Sequence, residues 1–170
     1  MNEKDLLQAR AAQLALPLHE DRKPQGNPML LVEAGPERYA LPLQHIDVVR
    51  TKPALTSLPG VPETLAGLVN LQGHVLAVLD LSALMGHRPQ VQAGHMVVVC
   101  LTHNQKVALQ VQQVHGVVDV PEQLSRSTSG RPGIRGVWDA HVTVLDVPEL
   151  LQHFQSMPSI ASPGGNHEVI

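Results

Sequence analysis

The feature that most constrains how this chain can fold is that it repeats itself. Residues 39–49 align on 107–117 without a gap, and Ala40, Leu41, Gln44 and Val49 are identical to Ala108, Leu109, Gln112 and Val117. Most other positions in the pair exchange one apolar side chain for another. Further on, Val78-Leu79-Asp80-Leu81 aligns on Val144-Leu145-Asp146-Val147, and Leu84 and His87 then match Leu150 and His153. Between these anchors each copy places a glycine before a strand, Gly67 and Gly136, and opens a strand with His-Val, at His74 and His141. Such self-similarity means one supersecondary unit used twice. A unit of roughly 60 residues buries too little surface to be very stable alone, so the two copies are expected to pack on each other.

Each copy reads as short strands separated by turn residues. Strands are expected at 29–33 and 38–49, joined by the hairpin connection 34–37. A proline-bearing loop, 52–62, leads to strands at 66–71 and 74–79 that flank Gln72-Gly73. A helical turn at 81–85 is closed by Gly86, and 87–94 is polar and loop-like. The second copy offers strands at 96–101 and 107–114 around the turn 102–105, then 116–120, a loop at 125–133, strands at 134–138 and 141–145, and a short helix at 148–154. About five short strands and a helical turn make a small barrel, an architecture that removes its own sheet edges by closing. The expected fold class is therefore mostly β, two five-stranded barrels in a pseudo-repeat, with interleaved subdomains at approximately 29–90 and 91–154. An N-terminal helix over 1–18 is expected from the stripe Leu7, Ala11, Leu14 and Leu18, with Asn2 as cap and Pro17 as terminator. Residues 19–28 read as a linker and 155–170 as a disordered tail.

Composition narrows the function. Tyr39, Trp138 and Phe154 are the only aromatics, so the core is aliphatic and no stacking platform for single-stranded nucleic acid exists. A net charge of −3 argues against a phosphate-backbone binder. Cys100 is the single cysteine, so no intramolecular disulfide can form and a reducing compartment fits. It sits in the apolar run 97–101, where a buried, inert thiol is the expectation. No signal peptide is evident, and no stretch approaches the ~20 apolar residues of a membrane span. A cytoplasmic protein without membrane insertion is expected.

Catalytic patterns are missing. The chain has ten histidines but no His-Glu-x-x-His, no Cys-x-x-Cys and no Gly-x-Ser-x-Gly. His45, His74, His103, His115 and His141 fall at expected strand ends or turns, which suits surface histidines better than metal ligands. Ser125, Ser127 and Ser129 sit in a polar loop as turn formers. The run 130–136 is rich in glycine yet lacks the Lys and Ser/Thr of a phosphate loop. Asp80 and Asp146 each end a strand and open a helical turn, where a carboxylate caps free amides. They are expected to be structural caps. No catalytic residue, cofactor or metal is expected.

The strand pattern also resembles a known family. Tyr39-Ala40-Leu41-Pro42-Leu43-Gln44-His45-Ile46-Asp47-Val48-Val49 resembles the opening strands of CheW domains, and so does the loop Leu58-Pro59-Gly60-Val61-Pro62. The strongest likeness is Leu65-Ala66-Gly67-Leu68-Val69-Asn70-Leu71-Gln72-Gly73 running on through Val78-Leu79-Asp80-Leu81, against a signature of approximately I-x-G-x-x-N-L-R-G-x-x-x-P-V-x-D-L. The likeness spans about 29–154. It implies SH3-like barrels around a shared core and a small non-catalytic scaffold of bacterial chemotaxis and two-component signal transduction. The implied partners are the regulatory domain of a CheA-type histidine kinase and the cytoplasmic tip of a chemoreceptor, bound at membrane receptor arrays. Some members serve pilus motility or other kinase pathways instead. Candidate contacts for receptor or kinase are Ile46, Val48, Val69, Asn70, Leu71, Gln72 and Gly73. In a strand only alternate residues face one way, so about half of the apolar ones are expected to be core. The chain departs from the family where the signature arginine is Gln72, where members carry an acidic residue at Val48, and where a proline is replaced by Ala77. The resemblance implies that the first two positions face each other as an ion pair. Both are neutral here, and an arginine restored at 72 alone is expected to strand a charge near a packed surface.

Overall fold

The computed structural model describes residues 26–51, 54–89, 94–102 and 105–155. The expected N-terminal helix, linker residues 19–25 and tail residues 156–170 lie outside the described residues, as does His103. The chain runs β1 (Asn27–Ala34), β2 (Glu37–Pro42), β3 (Ile46–Thr51), β4 (Leu65–Leu71), β5 (His74–Asp80), α1 (Leu81–Leu84), β6 (His95–Thr102), β7 (Gln105–Val111), β8 (Gln113–Val120), β9 (Ile134–Trp138), β10 (Val142–Leu145) and α2 (Val147–Gln155). The described strands form two five-stranded sheets, ordered β8-β1-β2-β10-β9 and β3-β6-β7-β5-β4. Pairing is antiparallel except for β2 with β10 and β5 with β7.

The two orders are one order. Matching β1–β5 to β6–β10 in sequence turns the first sheet into the second, so each sheet takes its first two strands from one copy and its last three from the other. Two expectations are corrected by this exchange. The single strand expected at 38–49 is two strands in different sheets, separated by a 3-10 turn at Leu43–His45. Pro42 ends the first ladder because it has no N–H to continue it. Likewise the strand expected at 107–114 stops at Val111, and the Gln112 N–H leaves the ladder for the Glu33 carbonyl at 2.8 Å. The second correction concerns the expected subdomain boundary at 90. One sheet uses strands within 27–42 and 113–145, and the other uses strands within 46–111, so the sheets do not divide there.

Register follows the repeat closely. Val144 lies opposite Ala40 in one parallel pair, and Val78 lies opposite Ala108 in the other. Each antiparallel hairpin slips by one residue at the same place. Gly67 pairs with Val78 and Leu65 with Leu79, as Gly136 pairs with Val144 and Ile134 with Leu145. The glycines are required because a loop crosses them, through isolated bridges at Thr56↔Leu68 and Ser125↔Val137. A Cβ on Gly67 would come 2.6 Å from the Thr56 carbonyl oxygen, and one on Gly136 would come 2.6 Å from the Leu124 Cβ.

Burial explains the apolar runs. One cluster draws on both sheets and includes Val32, Tyr39, Leu41, Leu79, Val97, Val99, Leu109 and Leu145. A second belongs to one sheet alone and holds Val69, Val78, Met96, Val98 and Ala108. A third belongs to the other and holds Met29, Ala40, Val120, Val142 and Val144. Along β6, Val97 and Val99 therefore point into the shared core while Met96 and Val98 point into their own sheet's core. Strands buried on both faces lose the polar alternation of a half-exposed strand. Each fully buried valine or leucine contributes about 1.5–3 kcal/mol relative to exposure, so the shared cluster binds the two sheets firmly.

Candidate functional site

The residues that the sequence singles out converge on one end of the second sheet. There β3, the β4–β5 hairpin and the start of β7 line a groove of about 830 Å³. The hairpin is tight. Gln72 and Gly73 both have positive φ, 52° and 85°, the geometry of a two-residue turn whose twist matches its strands. Asn70 holds it by accepting a hydrogen bond from the Gly73 N–H at 3.0 Å. Glutamine at its left-handed position carries some strain that glycine or asparagine would avoid.

Val48, Leu71 and Gln72 line this groove together. Val48 and Leu71 are half-buried, packing beneath it on the second sheet's own core. Asn70 and Gly73 are exposed at the same turn but do not line the cavity. Ile46 packs against the shared core. Val69 is 7% exposed and belongs to the core, so it has no free surface to offer a partner. Gln72 is itself exposed, which corrects the expected penalty for a lone arginine there. A long side chain at an exposed turn keeps its charge in water.

Groove residues beyond the candidates from the sequence include Val75, Asp47, Arg50 and Lys106. Val75 is 66% exposed on the hairpin. Asp47 and Lys106 form an ion pair at 2.9 Å across the mouth. The hydrogen bond from Lys106 to Asp47 raises the lysine's pKa, although both side chains are well exposed and the pair stabilises the fold little. The resemblance puts the acidic residue of this groove at position 48 and its basic partner at 72. Here the acid stands one residue earlier, at a bulge between Ile46 and Val48, and its cation comes from β7. The repeat holds no acid–base pair at the equivalent positions. Arg38 aligns with Lys106 and His115 with Asp47, and in the other sheet Glu33 joins them, 4.0 Å from Arg38 and 3.0 Å from His115. His115 lies within β8 and not at its end.

Asp80 and Asp146 sit as the caps that their positions predict. Asp80 is 1% exposed. Its Oδ1 accepts from the Ala83 N–H at 3.0 Å and its Oδ2 from the Gln110 amide at 2.9 Å. Asp146 Oδ1 accepts from the Glu149 N–H at 3.1 Å. The position equivalent to Gln110 is Pro42, which has no amide to offer. Ser127 and Ser129 bond to each other at 2.9 Å, within their loop. Among the described residues, no group of three or more His, Cys, Asp or Glu could hold a metal ion. No helix there is long and apolar enough to cross a membrane.

Comparison with known proteins agrees with this architecture. A "Probable chemotaxis protein CheW" from Rhizobium etli is 26% identical over 101 residues, covering 59% of this chain and 65% of that protein. A "Chemotaxis protein CheW" from Helicobacter pylori is 27% identical over 128 residues, covering 69% of this chain and 77% of its own length. The match thus spans slightly less than two thirds of the Rhizobium etli protein. Among solved structures, the scaffolding protein TtCheW from Thermoanaerobacter tengcongensis superposes with a TM-score of 0.61 at 21% identity, over 74% of this chain and 92% of that one, which establishes the shared fold. The pattern of the CheW-like domain family matches residues 28–155, from the first strand to the end of α2. Since that segment contains both sheets and both helices, the chain belongs to the CheW-like domain family.

Proposed function

We propose that this chain is a non-catalytic coupling protein that scaffolds a CheA-type histidine kinase with chemoreceptors in the cytoplasm, at membrane receptor arrays. The observation that carries the reading is the match of the family pattern to the whole of the exchanged-strand unit. The names of the relatives support it, since two are chemotaxis proteins and the structural neighbour is a scaffolding protein. The groove supports it too. Val48, Leu71 and Val75 give it apolar surface and Asp47 and Lys106 give it a charged mouth, a combination that suits an amphipathic helical tip. Asp80 and Asp146 are engaged as caps, so neither has the freedom of an acid or base.

One observation favours a second reading. With Gln72 and Val48 neutral and the ion pair moved to Asp47–Lys106, the groove differs from the family pattern where receptor contact is implied. A divergent regulator that binds a kinase of another pathway, such as pilus motility, without standard receptor coupling would have this character. Pulldown with a kinase regulatory domain and, separately, with a receptor tip fragment tests both. Binding to each supports the coupler. Kinase binding alone supports the divergent regulator, and binding to neither sinks both. Assays for hydrolase, transferase and nucleotidase turnover should be blank, and a specific turnover lost in a folded Asp80→Asn variant would overturn the non-catalytic reading.

A further inference from the structure

A second cavity, of about 780 Å³, lies on the opposite sheet, where the β1–β2 turn, the end of α1 and the β8–β9 loop meet. Its volume is in the range of small-molecule sites. Its wall carries Arg38, Arg126 and Arg131 against one carboxylate, Glu37. That is a local excess of positive charge in a chain whose net charge is −3. The carboxylate is already engaged, accepting from the Tyr39 hydroxyl at 2.9 Å with the His87 ring 3.6 Å away. Arg38 approaches Glu33 at 4.0 Å. Among the described residues, Arg126 and Arg131 form neither an ion pair nor a hydrogen bond. Gly86 leaves room for one of them, since a Cβ there would overlap the Arg131 guanidinium. The hydroxyls of Ser127, Thr128 and Ser129 line the same space.

We propose that this cavity binds a small molecule through its phosphoryl groups. Guanidinium forks match the oxygens of phosphate in pairs, and their charge is permanent at any physiological pH. The hydroxyls, of which Ser127 and Ser129 bond to each other at 2.9 Å, add polar groups around the guanidinium groups, an array that suits the several oxygens of a tetrahedral oxyanion. No Phe, Tyr or Trp lines the cavity, although the imidazoles of His87 and His141 do, so recognition rests mainly on the phosphoryl groups. The loop that lacks the sequence of a phosphate loop would thus hold phosphate by side chains instead of by its backbone.

Calorimetric titration of the full-length chain with inorganic pyrophosphate tests this, with a hexaglutamate peptide as the competing anion. Saturable binding at one site is expected, weakened about tenfold or more by Arg126→Gln, the loss of one charge-assisted contact. Arg131→Gln should act similarly. If that variant unfolds because its guanidinium supports the turn at Gly86, the exposed Arg126 still decides the outcome. The proposal is overturned by an absence of saturable binding at millimolar pyrophosphate, or by binding that Arg126→Gln leaves unchanged. It is equally overturned by hexaglutamate binding as tightly as pyrophosphate, which would mark the surface as a dock for an acidic protein segment.

Discussion

Asp80 and Asp146 occupy the same place in the repeat, yet they hold different loads. Asp80 caps α1 and also accepts from the buried Gln110 amide, whereas Asp146 caps α2 through the Glu149 N–H. Asp80→Ala should cost about 3 kcal/mol, a lost cap plus a buried amide left without its acceptor. Asp146→Ala should cost about 1 kcal/mol. Urea unfolding of both variants checks the difference. Tyr39 gives a pH signature. Burial, then the hydrogen bond to Glu37 and the charge of that carboxylate, push its pKa up from the ordinary value of 10.0. The unfolded chain therefore loses the phenolic proton first. The stabilisation is complete below the unfolded pKa and is lost as pH rises above it, by up to about 1.4 kcal/mol per unit. Tyr39→Phe should remove that slope when unfolding midpoints are compared from about pH 9 to pH 11. At the groove, Gln72→Arg should change stability by less than about 0.5 kcal/mol because position 72 is exposed. Coupling between Gln72→Arg and Val48→Glu, of order 1 kcal/mol, is expected in receptor-tip binding instead. Strict additivity there would show that the two positions do not act on each other.

At the scale of elements, the glycines Gly67 and Gly136 set where each hairpin meets its crossing loop. Gly67→Ala would drive a Cβ into the Thr56 carbonyl at a φ of 154°, and Gly136→Ala would drive one between Leu124 and the Ser125 carbonyl. Each should destabilise by about 2 kcal/mol or more, as overpacking against backbone does. Equal effects in thermal unfolding would show that the two crossings are equivalent in energy, although only Gly67 has a positive φ. A loss under about 0.5 kcal/mol would mean the loops yield easily. Most elements were legible in the sequence because turn residues mark their ends: Gln72-Gly73, Gly86 and the 34–37 connection fall where the chain turns. The break inside 38–49 was legible only in part. Pro42 cannot continue the ladder, yet Leu43, Ile46 and Val48 carry an apolar pattern past it, and the demand of two separate sheets turns the chain at Leu43–His45. The groove was legible only in part for a similar reason. Gln72 and Val48 stand out against a sequence signature, whereas Asp47 and Lys106 are 59 residues apart and nothing local pairs them.

For the whole molecule, exchange of strands between the copies predicts how it behaves when divided. Fragments cut between residues 89 and 94 would each hold the first two strands of one sheet and the last three of the other. Neither should fold alone by circular dichroism, and mixing them should restore the β signal through β2 with β10 and β5 with β7. A fragment that folds cooperatively by itself would show that its strands can pair within one copy, against the exchange. The amino-acid sequence by itself determined that there are two copies of one unit, that both are built of short strands, that their cores are aliphatic, and that Asp80 and Asp146 open helices. These follow from local periodicity, turn chemistry and composition. Only the tertiary structure decided which copy supplies which strand, that Val69 is core while Gln72 is exposed, and that Arg38 shares one cavity with the distant Arg126 and Arg131. The reason is physical. A strand's hydrogen bonds are satisfied equally well by any partner in register, so the choice of partner rests on which arrangement buries both faces of β1, β2, β6 and β7, a property of the assembled sheets and of no single segment.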